Sequence, residues 1–155
     1  MSKTNAVRIL DSCNIKYSLN TYDVNEDDLS GTTVALKIGA DAESVFKTLV
    51  AEGDKTGPLV FCIPTTEELN LKKAAVVSGN KRVELIKVKD LLALTGYIRG
   101  GCSPIGMKRK FPTFIDETAQ LFQDIYISAG IRGIQVKLSP KDLAPVIEAP
   151  FCDLI

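Results

Sequence analysis

Val45-Phe46-Lys47-Thr48-Leu49-Val50 and Leu59-Val60-Phe61-Cys62-Ile63 are two runs rich in β-branched and aromatic residues, and Gly53-Asp54-Lys55-Thr56-Gly57 lies between them. Two such runs around a short Gly-bounded polar stretch predict a β-hairpin. Working outward toward the N-terminus, Thr32 to Ile38 reads as a helix stopped by Gly39, preceded by an acidic loop from Asp23 to Asp28. Tyr17 to Tyr22 alternates as a strand does. The spacing of Val7, Leu10 and Ile15, with Thr4 or Asn5 as the cap and Asn14 at the end, predicts a first helix over residues 5–13. Toward the C-terminus, Asn70 caps a helix over Leu71 to Val77 that ends at Gly79-Asn80, and Arg82 to Leu85 reads as a short strand. Asp90 to Leu94 is helical, Gly96 to Gly106 is a glycine-rich loop, and three strands follow at Thr113 to Asp116, Ile125 to Ser128 and Ile134 to Leu138. Ser139-Pro140-Lys141-Asp142 opens a last helix, with Ser as cap and Pro in the first position. Short strands interleaved with short helices, without a regular strand-helix repeat or a phosphate-binding glycine fingerprint, give an α+β fold and not a doubly wound sheet.

The composition bounds what this fold can do. A chain of 155 residues, 45% hydrophobic and 25% charged, suits one domain over residues 1–155 with a core that needs no disulfide or metal. No internal repeat, low-complexity segment or linker divides it. The longest apolar run, Leu59 to Ile63, is five residues, whereas a membrane span needs about 20. Together with a polar N-terminal stretch, that predicts a cytoplasmic protein with no membrane partner. The absence of histidine excludes Ser-His-Asp triads, Cys-His dyads and His-based zinc sites. Cys13, Cys62, Cys102 and Cys152 are too widely spaced for a zinc or redox motif, so free thiols, no metal and no cofactor are expected.

Zero net charge hides a strong segregation. Between Leu71 and Lys110 ten basic residues face two acidic ones, so that segment carries +8 and the rest of the chain −8. A positive face of this kind can steer a polyanion. The dense Lys108-Arg109-Lys110 run makes a nucleic-acid or phosphate partner about as expected as a set of unrelated solvated lysines.

Three places could carry chemistry. Strict alternation puts Lys47 on the same face as Val45 and Leu49, where a lysine either guards a strand edge or reaches into a cleft to meet an anion or a polarised carbonyl. Gly96-Tyr97-Ile98-Arg99-Gly100-Gly101-Cys102-Ser103-Pro104-Ile105-Gly106 is either a surface turn or a loop whose backbone N–H groups converge on an oxyanion. Cys102 within it lacks an evident base and is a poor nucleophile candidate. Ser128 and Asp116 end strands, where such residues are most often turn or cap residues.

Phe46-Lys47-Thr48-Leu49, Leu71-Lys72-Lys73, Thr95-Gly96-Tyr97, Gly100 to Gly106, Thr113-Phe114-Ile115-Asp116 and Ser128-Ala129-Gly130-Ile131-Arg132-Gly133 occur in an order and spacing that resembles the YbaK/EbsC proteins over nearly the whole chain. That family is similar to the editing domain of bacterial prolyl-tRNA synthetases, and its best known members are Cys-tRNA(Pro) deacylases. The resemblance implies a mixed, barrel-like β-sheet surrounded by short helices, with no metal or cofactor. It makes Lys47 the essential lysine and Gly100, Gly101 and Pro104 the GxxxP loop, with Cys102 and Ser103 inside that loop. Tyr22, Thr48 and Ser128 align with positions that line the site. Gln135 departs from the pattern, because some members carry an acid there, and this leaves the preference between Cys- and Ala-tRNA open.

The implied activity is trans-editing of mischarged Cys-tRNA(Pro), in which the substrate thiol attacks its own ester. Such editing is needed because a small apolar difference in a synthetase pocket is worth only about 1–3 kcal/mol. The implied partners are tRNA(Pro), held in part by Lys108, Arg109 and Lys110, and prolyl-tRNA synthetase as a docking partner. The alternatives are editing of another small aminoacyl-tRNA such as Ala-tRNA(Pro), and a non-catalytic tRNA- or nucleotide-binding module.

Overall fold

The computed structural model describes residues 3–155. Its centre is the expected hairpin, β2 (Phe46–Gly53) and β3 (Gly57–Pro64), in register from Phe46 opposite Pro64 to Gly53 opposite Gly57. Gly57 turns the chain at φ 74°, in the left-handed region that a Cβ disfavours. The hairpin loop is tied down from outside. Asn80 Oδ1 accepts the N–H groups of Lys55 and Thr56 at 2.9 and 3.1 Å, and Asp54 Oδ1 accepts those of Lys81 and Arg82 at 2.9 and 3.0 Å.

Around the hairpin grows a five-stranded sheet in the order β4-β2-β3-β5-β8, with β4 at Val83–Leu85, β5 at Thr113–Asp116 and β8 at Phe151–Cys152. The β3–β5 and β5–β8 pairs are parallel and the other two antiparallel, so the sheet is mixed. A second sheet, β1 (Tyr17–Thr21), β7 (Ile134–Leu138) and β6 (Ile125–Ser128), is antiparallel in that spatial order. A single parallel bridge from Val45 to Tyr126 joins the two. The β-structure implied by the family resemblance is therefore built from two linked sheets.

Among the described residues five α-helices of eight residues each surround them: α1 (Asn5–Ser12), α2 (Gly31–Ile38), α3 (Leu71–Ser78), α4 (Val88–Thr95) and α5 (Pro140–Ile147). The side chains of Thr4, Ser30, Asn70 and Ser139 cap four of them, satisfying N–H groups that the helix leaves free. Gly39, Gly79 and Gly96 end α2, α3 and α4 in the left-handed conformation.

Two faces of the hairpin are buried against different layers. Phe46 and Cys62 join Ile127, Val136, Leu138 and Leu10 in a core between the second sheet and α1 and α5. Ala51, Leu59, Phe61 and Ile63 pack on Ala74 and Ala75 of α3 and on Leu154, with Phe61 stacked on Phe114 at 5.4 Å. Val50, Val60 and Cys102 form a smaller cluster under Leu91 and Leu94 of α4.

The expected elements are all present within a residue or two, except that β2 and β3 run further toward the turn. Strand β8 was not expected, because two residues carry no periodicity. It forms where buried Asp116 accepts the Leu154 N–H at 3.0 Å. The same carboxylate accepts the Thr118 N–H at 3.1 Å, which makes Asp116 a cap.

Candidate active site

β4 pairs with β2 only from Ala51 to Gly53, and on the same side Val45 is bridged to Tyr126. Between these contacts one edge of β2 is left open. Over it lies a cleft of about 540 Å³, walled by the loop leading into α2, by β4 and α4, by the glycine loop and by β6 and β7. The start of α2 is pressed close against Thr65, the residue after β3, whose side chain a Cβ on Gly31 would strike. Only glycine lets the helix and its acidic lead-in approach so near.

Of the residues singled out in the sequence, Tyr22, Lys47, Thr48, Gly100, Cys102 and Ser128 line this one cleft. Lys47 is half-buried, and its ammonium makes no ion pair with the described residues, whose ion pairs all lie elsewhere. It opposes Ile63 across the hairpin, beside the open edge. Ser128 ends β6, where its Oγ accepts the Gly130 N–H at 3.1 Å. It is thus a turn residue and a wall of the cleft at once.

The glycine loop differs in detail from a run of convergent donors. Gly100 takes φ 84°, but the Gly101 N–H donates to the Ile98 carbonyl at 2.9 Å and closes a turn. Gly101 is thereby removed as an oxyanion donor. Its own role is close packing: a Cβ there would lie 3.1 and 3.2 Å from Arg132 N and Ile131 C. The N–H groups of Gly100 and Cys102, like that of Arg99, have no backbone acceptor among the described residues, so they remain free to donate. Ser103 and Pro104 are buried behind the cleft wall. Ser103 Oγ accepts the Ile105 N–H at 3.2 Å, and Pro104 borders a second cavity of about 250 Å³ with Arg109 and Lys110.

Two residues without an assigned role hold this loop in place. Arg132 Nε donates to the Arg99 carbonyl at 2.8 Å. Tyr97 donates its hydroxyl to the Ile105 carbonyl at 2.5 Å, and its ring lies against Gly130 and Gly106. The signal was the glycines on either side of each, which mark backbone that something large must approach.

The thiol of Cys102 is pushed up to about 12 by burial. A thiol held protonated at neutral pH is not an activated nucleophile. At the cleft mouth, Asp28 accepts the Ser30 N–H and the Thr33 hydroxyl at 3.1 and 2.6 Å, and these bonds, the hydroxyl's foremost, hold its carboxyl below the usual range. Among the described residues no three His, Cys, Asp or Glu side chains cluster to hold a metal ion.

The basic segment divides along α4. Lys87 precedes the helix at the end where Ile86 and Val88 line the cleft. Eight residues further on, about 12 Å at 1.5 Å per residue, Lys108 donates its N–H to the Thr95 carbonyl at 3.0 Å. Lys108, Arg109 and Lys110 are exposed but outside the cleft, and Lys110 pairs with Glu148.

A sequence model of the aminoacyl-tRNA editing domain matches residues 30–145. A protein of Enterococcus faecalis named as a candidate Cys-tRNA(Pro)/Cys-tRNA(Cys) deacylase, EbsC, is 47% identical over 152 residues, 98% of this chain and 93% of that one. The Bacillus subtilis protein YwhH is 26% identical over 125 residues, 79% of each chain. Among solved structures, a candidate trans-editing enzyme for prolyl-tRNA synthetase superposes with TM-score 0.81 at 22% identity, covering 99% of this chain and 98% of that one. The hypothetical protein APE2540 superposes with TM-score 0.86 at 20% identity, covering 96% and 97%. At these identities the two structures speak for the fold.

Proposed function

Because the chain belongs to the aminoacyl-tRNA editing domain family, we propose that it is a trans-editing deacylase that removes cysteine from mischarged Cys-tRNA(Pro), with the substrate's own thiol as nucleophile. The observation that carries this reading is the Lys47 ammonium, without an ion pair among the described residues, beside the open edge of β2 in a cleft that also holds Gly100 and Cys102 of the glycine loop. A cation and backbone N–H donors suit an ester carbonyl on which negative charge develops. The chain has no imidazole, and the one cysteine that lines the cleft is held protonated by burial. Chemistry that brings its nucleophile with the substrate fits such a site.

In this mechanism the substrate sulfur bonds to the carbonyl carbon, and the bond from that carbon to the ribose 3′-oxygen breaks. The proton of the thiol ends on the departing 3′-oxygen. The products are tRNA and a four-membered cysteine thiolactone. Lys47 and the loop N–H groups hold the carbonyl oxygen, while the cleft walls hold thiol and ester in the attacking geometry. A volume of about 540 Å³ is in the range that takes a drug-sized ligand, which suits the aminoacyl group together with its terminal adenosine. Lys108, Arg109 and Lys110, at the end of α4 away from Lys87, are the phosphate contacts in this reading, with tRNA(Pro) as the cytoplasmic partner and prolyl-tRNA synthetase as the protein that would present it.

Deacylation of Cys-, Ala- and Ser-tRNA(Pro) by the purified protein tests the reading. Cys-tRNA(Pro) is expected to be cleaved far faster than the other two, which carry no side-chain nucleophile or a weak one. Rapid cleavage of Ala-tRNA(Pro) would replace the thiol mechanism with hydrolysis by water. Tight binding of all three without cleavage would make the protein a binding module.

A further inference from the structure

Inside the cleft two buried polar atoms, Thr48 Oγ1 and Gln135 Oε1, have no hydrogen-bond partner among the described residues, and Gln135 Oε1 is the one that can only accept. Gln135 lies in the middle strand of the second sheet, opposite Asn20 of β1 on one side and Ser128 of β6 on the other. Residues directly opposed in antiparallel strands share a face, so the three form one polar row. Gln135 is 6% exposed and lines the cleft, yet its Oε1 accepts no hydrogen bond from the described residues. An acceptor buried without a donor costs about 1–3 kcal/mol. Neither opposed side chain reaches it in this structure: Asn20 Nδ2 is a buried donor that is itself unbonded, and Ser128, whose oxygen receives the Gly130 N–H, makes no bond to Gln135 Oε1.

A second acceptor faces the same space. On the open side of β2 the Val50 carbonyl accepts the Ile86 N–H at 3.1 Å, and carbonyls two residues apart on a strand turn to the same side. The Thr48 carbonyl therefore points to the open edge, where β4 no longer pairs with β2. An ammonium group has three donors and no acceptor, so neutral acceptors of this kind are what it seeks. Lys47 in the same cleft repels a second cation and attracts an oxygen. The cleft thus holds a cation on β2 that suits a carbonyl oxygen and an acceptor on β7 that suits an ammonium group.

We propose that Gln135 Oε1, with the Thr48 carbonyl, receives the free α-ammonium group of the aminoacyl ester, so that the cleft accepts aminoacyl esters and refuses N-acylated ones such as formylated or peptidyl esters. The proposal rests on the editing reading for the identity of the ester.

Acetylating the amine removes the ammonium and keeps thiol, ester and ribose, which makes it a clean probe. Deacylation is compared for Cys-tRNA(Pro) and N-acetyl-Cys-tRNA(Pro), and calorimetric affinity for the amide-linked analogue 3′-cysteinylamino-3′-deoxyadenosine and its N-acetyl form. Both comparisons are expected to favour the free amine by about tenfold or more, the worth of one hydrogen bond to a charged group. Gln135→Met should bring both ratios toward one, and Gln135→Glu, which keeps the acceptor, should preserve them. Ratios near one in the wild-type protein would overturn the proposal without any variant, and so would equal slowing of both substrates in Gln135→Met, which is what a purely structural partnership with Asn20 gives. Cleavage with no amine preference removes this proposal and leaves the editing activity. Preferential binding of the free amine without cleavage does the reverse, and absence of binding removes both.

Discussion

At the scale of single residues, Lys47 and Cys102 separate two kinds of site residue. Lys47 lines the cleft with no counter-ion among the described residues, so removing it takes charge from the site and little from the core. Lys47→Ala is expected to lower kcat/KM for Cys-tRNA(Pro) by about 10²–10³, the usual loss for one electrostatic donor, with an unchanged melting temperature. Activity within threefold of wild type, roughly 0.6 kcal/mol, would return Lys47 to the role of a strand-edge guard. Cys102→Ala should stay active, since burial holds its thiol protonated at neutral pH. Burial holds the Cys62 and Cys102 thiols up to about 12, against ordinary values of 9.0. The unfolded chain therefore ionises first as pH rises. The stability these protonated thiols contribute is complete below pH 9 and is lost between 9 and 12. Urea unfolding at pH 8 and pH 10.5 should show a drop in the wild type that is smaller in Cys62→Ala; equal drops would remove the thiols as its cause. Maleimide at pH 7 should label exposed Cys13 and spare buried Cys62 and Cys102.

At the scale of elements, two ties join segments distant in sequence, one at the cleft and one at the hairpin turn. One is the latch between the glycine loop and the loop after β6, made by Arg132 on the Arg99 carbonyl and by Gly101 against the backbone of Ile131 and Arg132. Gly101→Ala places a Cβ 3.1 Å from backbone that cannot step aside. The loop must shift, carrying the Gly100 and Cys102 N–H groups with it, and kcat is expected to fall more than thermal stability does. Retention of full activity would detach the loop from catalysis. The other tie is Asn80, which holds the hairpin turn through Lys55 and Thr56 on the far side of β2 from the cleft. Asn80→Ala should cost about 2–3 kcal/mol, because two N–H groups lose their acceptor, with kcat preserved at a temperature where the variant is folded. Loss of kcat there would show that the hairpin end and the cleft are coupled.

At the scale of the whole molecule, the +8 carried between Leu71 and Lys110 gives a chain of zero net charge a basic segment on which the proposed tRNA contact rests. Binding of tRNA should weaken steeply with salt, as counterion release requires. Charge reversal at Lys108, Arg109 and Lys110 together should raise the tRNA dissociation constant and leave single-turnover chemistry at saturation intact. Since Lys110 is already paired with Glu148, reversal at Lys87 and Lys89, beside the cleft, should cost at least as much affinity. If neither set changes the dissociation constant, the acceptor end enters by another face.

The sequence by itself determined the elements, their α+β class and most of their ends, because caps, αL glycines and apolar periodicity act within a few residues: Ser139-Pro140 opens α5 and Gly39 closes α2 by local physics alone. It also brought out Lys47, as a charge on an apolar strand face, and the glycine loop as backbone with unusual freedom. Only the tertiary structure decided which groups those features present to a substrate. The Gly101 N–H is spent on Ile98, Tyr97 and Arg132 hold the loop, and Gln135 is left with an unpaired oxygen, because each outcome depends on partners far apart in the chain. Hydrogen bonding between distant segments has no period, so no window of sequence carries it.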